Sequence, residues 1–116
     1  MQLPGAYAPP RGRLLLGLTE TQVAGMVALQ PVDALTGEVK RLYVRPAARR
    51  QGVGRGLVVA LIEAARQAGY AALRLETLEA MHEAQALYRS LGFQEVERFR
   101  PPTGDDDRTV SMALWL

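Results

Sequence analysis

The chain has 116 residues, with 14 basic and 12 acidic side chains, a formal net charge of +2 and no cysteine. This length suits one hydrophobic core, and we predict a single domain over residues 1–116 with an extended lead-in over 1–12. The absence of cysteine excludes thiol nucleophiles, disulfide bonds and thiolate metal sites. Because His82 is the only histidine, a histidine metal cluster is also excluded, and we predict no metal.

The charge distribution indicates a local anion site and not a generally basic surface. Lys40 is the only lysine, and five arginines fall within one short stretch: Arg41, Arg45, Arg49, Arg50 and Arg55. A nucleic-acid surface would interleave aromatic residues with these arginines, which this stretch does not do. No run of about 18 apolar residues occurs, so we expect a cytoplasmic protein that binds neither nucleic acid nor a membrane.

The first part of the chain is predicted to form three strands. Short apolar runs over 13–19 and 22–30 predict an antiparallel pair joined by a tight turn at residues 20–21, with a bulge at Gly25. Residues 38–44 alternate apolar and charged side chains, which predicts a third strand.

The second part is predicted to alternate helices and strands. Apolar residues recur at helical spacing from Leu57 to Ala68, with Gly69 as the C-cap, and residues 71–77 alternate as a strand does. This strand must run parallel to the third one because a helix intervenes.

The last segment is predicted to hold a second helix and a closing strand pair. A helical stripe from 81 to 91 is closed by Gly92. Residues 93–99 and 109–116 then predict an antiparallel pair, with the acidic run 105–107 in a solvated hairpin tip.

A glycine-rich segment, residues 49–56, lies between the third predicted strand and the first helix. Helix N-termini present unpaired N–H groups and a positive dipole, glycines allow close approach, and arginines bind phosphate oxygens. The segment therefore predicts a pyrophosphate site, and the alternative is a glycine-rich turn with solvated arginines. A nucleoside-triphosphate loop would need Gly-Lys-Ser/Thr, and a dinucleotide fingerprint would need a small residue where Leu57 stands.

Three motifs in order resemble the GNAT acetyltransferase superfamily. They are the segment Lys40 to Pro46, the loop Arg49-x-x-Gly52-x-Gly54, and Ala84-x-x-Leu87-Tyr88-x-x-x-Gly92-Phe93. The resemblance covers residues 13–116. The superfamily normally opens with one strand and two helices before the equivalent of Arg13, so the chain resembles a short form without them.

The resemblance implies an α/β (α+β) fold, with a mixed, mostly antiparallel central sheet of about six strands, two main helices, and splayed strands at an acetyl-CoA cleft. It implies an acetyl-CoA-dependent N-acetyltransferase that transfers the acetyl group directly to an amine of a small molecule or protein. Backbone groups of Leu42, Tyr43 and Val44 would pair with the pantetheine arm. The pyrophosphate would lie on the loop residues Arg49, Arg50, Gln51, Gly52, Val53, Gly54 and Arg55.

Tyr88 and Glu38 are the predicted catalytic residues. By resemblance, Tyr88 protonates the departing CoA thiolate, although an aromatic at helical spacing is more often a core residue. Glu38 lies 11 residues before Arg49, as the catalytic Glu of histone-type members does, and the alternative is a solvated carboxylate at a strand start. Glu76 is the second candidate for the base.

Two further expectations concern positions where the chain departs from the family pattern. Met81 replaces an Asn common in the family, so one cofactor contact is either absent or supplied by His82, which otherwise looks like a solvated residue at a helix start. Without the usual N-terminal elements, a sheet edge would be exposed, and we expect a homodimer.

The competing function is a non-catalytic acyl-CoA-binding module that acts through a partner.

Overall fold

A computed structural model describes residues 12–18 and 22–116. The lead-in predicted over 1–12 therefore lies outside the described residues except for Gly12, as does the turn predicted at residues 20–21. In chain order the elements are β1 (Arg13–Leu18), β2 (Val23–Pro31), β3 (Thr36–Val44), α1 (Val53–Gln67), β4 (Ala72–Leu78), α2 (His82–Ser90), β5 (Gln94–Val96) and β6 (Thr109–Trp115).

The strands form one six-stranded sheet in the order β1-β2-β3-β4-β6-β5. Every neighbouring pair is antiparallel except β3 and β4, which are parallel. The intervening helix α1 makes this parallel return possible. The predicted mixed, mostly antiparallel sheet with two main helices is confirmed.

Strands β3 and β4 separate after a short paired segment. Thr36 to Glu38 pairs with Ala72 to Arg74, and no later residue of either strand pairs with the other. The strands themselves continue to Val44 and Leu78. The predicted splay is thus confirmed, and it opens a cleft on the inner edge of β3.

A bulge in β3 lies where the two strands separate. Met26 and Ala28 of β2 pair with Tyr43 and Lys40, so β3 has one residue more than β2 between these pairs. Arg41, within this interval, takes a left-handed φ of +59°. The extra residue changes the direction of the β3 backbone beside the cleft.

The bulge predicted at Gly25 is found one residue earlier. Gly17 and Leu18 pair with Gly25 and Val23, which leaves Ala24 as the extra residue. A Cβ on Gly25 would lie 2.6 Å from the carbonyl oxygen of Tyr43. Gly25 is therefore required for the close approach of β2 and β3.

Helix α1 begins at Val53, four residues before the predicted start at Leu57. Its first turn contains Gly54 and Gly56 and has no buried apolar side chain, so the apolar spacing could not indicate it. Gly52 precedes the helix with a φ of +81°. The C-terminal glycines were predicted correctly, since Gly69 and Gly92 take φ values of +89° and +103°.

Two strands differ from the predicted bounds by two residues or more, and the others agree to within one residue where they are described. Strand β3 begins at Thr36 and not at residue 38, and β5 covers only Gln94–Val96 instead of 93–99. The residues after β5 form a loop whose arginines turn inward to Asp107, and this arrangement replaces further strand pairing.

One hydrophobic cluster joins the sheet to both helices. It includes Val27 of β2, Leu61 of α1, Leu73 of β4 and Tyr88 of α2, together with Phe93. Because α1 and α2 share this core with the strands, the positions of their N-termini relative to the cleft are determined by packing.

Candidate functional site

Two adjoining cavities lie along β3 where it separates from β4. The inner cavity, about 570 Å³, is lined by residues of β3 and β4 together with Tyr88 and Arg100. The outer cavity, about 490 Å³, is lined by the end of β3 and the glycine loop. Leu42, Met81 and Ala84 line both, so the two cavities form one continuous cleft.

The glycine loop presents backbone donors to the outer cavity. The first bond of α1 runs from the Gly56 N–H to the Gly52 carbonyl at 3.0 Å. The N–H groups of Val53, Gly54 and Arg55 precede it and belong to the turn that a helix leaves without internal acceptors. With the positive end of the helix dipole, these groups can bind an anion.

The loop arginines differ in what they contact. Arg49 donates from Nε to the Val44 carbonyl at 3.0 Å, which ties the loop to the end of β3. Arg55 donates to the Ser90 hydroxyl at 2.8 Å. Within the described part of the chain, Arg50 makes a solvent-exposed ion pair with Glu83, at 3.5 Å, and such pairs contribute at most about 1 kcal/mol. Arg50 can therefore turn to a ligand at little cost.

The structure brings together nine of the ten predicted cofactor residues. These nine line the outer cavity: Leu42, Tyr43, Val44, Arg49, Arg50, Gly52, Val53, Gly54 and Arg55. Gln51 does not line it, because its side-chain amide donates to the Ala47 carbonyl at 3.2 Å. This hydrogen bond links Gln51 to the segment before the glycine loop.

Tyr88 is both a core residue and a cavity residue. Its ring packs edge-on against Phe93 at 5.6 Å between centroids, and only 6% of the residue is exposed. It also lines the inner cavity. Burial raises the pKa of the Tyr88 phenol above its ordinary value, so the hydroxyl keeps its proton at neutral pH.

Glu38 is buried, so the alternative of a solvated carboxylate is wrong. Its Oε1 accepts from Arg74 Nε at 2.9 Å, and its Oε2 pairs with Lys40 Nζ at 3.2 Å. Arg74 in turn lies over the ring of Phe99, with 4.6 Å from its guanidinium carbon to the ring centroid. The carboxylate thus lines the inner cavity with a cation on each oxygen.

Glu76 lines the same cavity and is held by Arg100. The distance from Glu76 Oε2 to Arg100 Nη2 is 3.1 Å. The same guanidinium pairs with Asp107 Oδ2 at 3.0 Å and donates to the Thr109 hydroxyl at 3.2 Å. The hydrogen bond with Asp107 and the charge of Glu76 raise the pKa of Arg100.

The solvated hairpin tip predicted for residues 105–107 is wrong at Asp107. Its side chain is 3% exposed and also pairs with Arg98 at 3.1 Å. Hydrogen bonds from Thr109 and Thr103, and then from Arg100, hold the pKa of Asp107 far below its usual range. The loop folds around this carboxylate, which fixes Arg100 at the cavity wall.

Sequence reasoning missed Arg74, Arg100 and Asp107. Arg74 and Arg100 pair with carboxylates distant in the chain, Glu38 and Glu76, and Asp107 is buried only because its loop folds around it. His82 was predicted as an exposed residue at a helix start, and it is the first residue of α2 and exposed. Met81 lines both cavities, where the family pattern has Asn.

Two features are absent from residues 12–18 and 22–116. No three histidine, cysteine or carboxylate side chains are grouped there as metal ligands would be. None of the helices in this part of the chain is long and apolar enough to cross a membrane.

Comparison with known proteins identifies the family. Residues 3–93 match the model of the acetyltransferase (GNAT) family. The chain is 38% identical over 95 residues to an uncharacterised N-acetyltransferase of Schizosaccharomyces pombe, covering 80% of this chain and 58% of that protein. It is 39% identical over 96 residues to human N-acetyltransferase 8, covering 78% of this chain and 42% of that one.

The fold comparison agrees. The crystal structure of the ribosomal-protein-S18-alanine N-acetyltransferase of Escherichia coli superimposes with a TM-score of 0.77 at 32% identity, covering 94% of this chain and 72% of that one. The chain belongs to the GNAT acetyltransferase family. It spans 42–64% of the length of the first curated relatives it matches.

Proposed function

We propose that this chain is an acetyl-CoA-dependent N-acetyltransferase that transfers the acetyl group directly to an amine of a small molecule or protein. The observation that carries this proposal is the cleft that runs from the N-terminus of α1 to the wall formed by Tyr88. One end offers amides and Arg50 for a pyrophosphate, and the other offers a proton donor and two carboxylates. Family membership supports the same reaction.

Acetyl-CoA would be held mainly by backbone. The pyrophosphate would bind the N–H groups at the start of α1. The pantetheine arm would lie along Leu42 to Val44, where β3 pairs with β2 on one side and its pairing with β4 on the other side has ended. Bound acetyl-CoA supplies a thioester, whose carbon is the electrophile. The Val44 carbonyl already accepts from Arg49, so the end of β3 is held in place before the ligand arrives.

Tyr88 is the proposed acid. A group that protonates a departing thiolate must keep its own proton until that moment. The raised pKa of Tyr88 provides this, and Tyr88 lines the inner cavity, where the thioester would lie.

Glu38 is the proposed base from its position on β3, and Glu76 is the alternative. Both line the inner cavity. Glu38 has a cation on each carboxylate oxygen, so an incoming amine must displace one of them. Glu76 pairs through Oε2 with Arg100, and this geometry favours it for an external acceptor. Comparing Glu38→Gln with Glu76→Gln separates the two, because the variant of the true base loses kcat without losing affinity for acetyl-CoA.

The experiment that tests the function is an acceptor screen with purified chain. Acetyl-CoA is mixed with amino acids, polyamines and a peptide that begins with alanine, chosen because the E. coli relative is named for that acceptor. CoA thiol release is followed by absorbance, and acetylated product by mass. Release that depends on one amine and is lost in Tyr88→Phe supports the proposal. Acetyl-CoA binding without turnover on any amine would favour a binding module.

We also propose that two copies associate through the outer edge of β1. Among residues 12–18 and 22–116, β1 pairs only with β2, and Leu18 of β1 is 71% exposed. A cavity of about 350 Å³, lined by apolar residues of β1 and α1, adjoins this edge. Analytical ultracentrifugation of the chain would show a dimer, and Leu18→Lys would shift it to monomer. A monomer at all concentrations would contradict the proposal.

A further inference from the structure

The inner cavity already contains one amine of the chain itself. Lys40, the only lysine, is on β3 and lines this cavity with Tyr88. Its side chain is 44% exposed, and its Nζ lies 3.2 Å from Oε2 of Glu38, whose side chain is 9% exposed. A primary amine, a carboxylate and a phenol therefore surround one space, and these are the groups that acetyl transfer requires.

We propose that Lys40 is a modification site and that the chain acetylates it from acetyl-CoA bound in the cleft. This inference rests on the proposed function. Glu38 first takes a proton from the Lys40 ammonium and releases it to solvent. The neutral Nζ then forms an amide bond with the acetyl carbon while the bond between that carbon and sulfur breaks. Tyr88 protonates the departing thiolate, and the second proton of the attacking nitrogen restores the phenol. Acetyl-lysine, free CoA and one proton are the products.

The pairing of Glu38 makes this step compatible with the fold. Acetylation removes the positive charge of Lys40, and a buried carboxylate left without a partner would be strongly destabilising. Glu38 keeps Arg74, whose Nε lies 2.9 Å from its other oxygen. Arg74 is held in turn over Phe99. The buried charge therefore stays paired after the reaction.

The modification would also change the cavity. An acetyl group on Lys40 adds three heavy atoms and removes a cation from the cavity that Glu76 and Arg100 also line. We therefore expect modified chain to turn over external amines more slowly than unmodified chain. Acetylation of Lys40 would therefore limit the rate at which the chain acetylates external amines.

The test uses intact-mass spectrometry of the full chain incubated with acetyl-CoA. We expect a single gain of one acetyl group, mapped to Lys40 and absent in Lys40→Arg. The N-terminal amine is the only other primary amine, so peptide mapping separates the two. A synthetic peptide of residues 36–44 measures chemical acetylation of the same lysine outside the fold. Lys40 in the folded chain should react at least tenfold faster, at a rate independent of chain concentration, and more slowly in Glu38→Gln and Tyr88→Phe.

Each outcome decides the proposal. Equal rates in chain and peptide, or acetylation only at the N-terminus, would overturn it. If external amines are acetylated normally at the same time, the proposed function stands and only the Lys40 inference fails. If calorimetry shows that the chain does not bind acetyl-CoA, both fail together.

Discussion

Replacing Tyr88 with Phe removes one hydroxyl from the cleft and leaves the packing of the ring in place. The ring contributes the edge-on contact with Phe93 and fills a core position that is 6% exposed, and Phe keeps both. The free energy of unfolding should therefore change by no more than about 1 kcal/mol. Loss of the acid should lower kcat about 100-fold, the lower end for general acid catalysis, which corresponds to about 2.7 kcal/mol in the activation free energy.

The assay measures three quantities on the same preparations. Thiol release gives kcat, calorimetry gives the acetyl-CoA Kd, and thermal unfolding gives stability. We expect only kcat to fall in Tyr88→Phe, because the proposed pyrophosphate and pantetheine contacts are made elsewhere. An unchanged kcat would refute the assignment of Tyr88 as the acid. A large loss of stability would mean that the hydroxyl serves the fold instead.

Two further predictions concern the loops at each end of the cleft. Gly52→Ala should lower the free energy of unfolding by about 1 kcal/mol and weaken acetyl-CoA binding, because the φ of +81° at this position is strained for any residue with a Cβ. Gly56→Ala should raise the free energy of unfolding by about 0.5–1 kcal/mol, because a Cβ at this position also meets open space and the backbone is helical. Chemical denaturation measures both variants, and a Gly56→Ala chain that is no more stable than the Gly52→Ala chain would contradict this reasoning. Because the pKa of Asp107 is lowered in the folded chain, its contribution to stability is present above the ordinary value of 3.8 and is lost as the pH falls further. Asp107→Asn should therefore unfold at a lower temperature than the exposed-site control Asp106→Asn at pH 7, with the difference shrinking toward pH 3, and a difference independent of pH would contradict the role of this charge.

Local signals in the sequence predicted most of the architecture. Gly69 and Gly92 end helices because glycine takes positive φ without a Cβ clash, and this preference is readable from the chain alone. The start of α1 was not readable from apolar spacing, because its first turn lines the outer cavity and contains no fully buried apolar side chain. The boundaries were therefore predicted best where the core determines them.

The sequence indicated the glycine loop of the candidate site, but it indicated only some of the contacts inside the inner cavity. The glycine loop is contiguous in sequence, so its residues could be recognised together. The burial of Glu38 depends on Arg74, 36 residues away, and the fixed position of Arg100 depends on Asp107 across a loop. These ion pairs form only when the sheet and the loop have folded. From the sequence alone, an acidic run such as residues 105–107 is expected to be exposed to solvent.

The central claim is that the cleft binds acetyl-CoA through the start of α1, and titration calorimetry tests it most directly. Wild-type chain should bind acetyl-CoA, and Arg50→Ala should weaken binding about tenfold, as expected for the loss of one charge-assisted hydrogen bond. Arg66→Ala is the matched control, because Arg66 lies in the last turn of α1 and makes only a solvent-exposed pair with Glu63. Its Kd should equal that of the wild type. Absence of binding at millimolar acetyl-CoA, or equal losses in the two variants, would contradict the account.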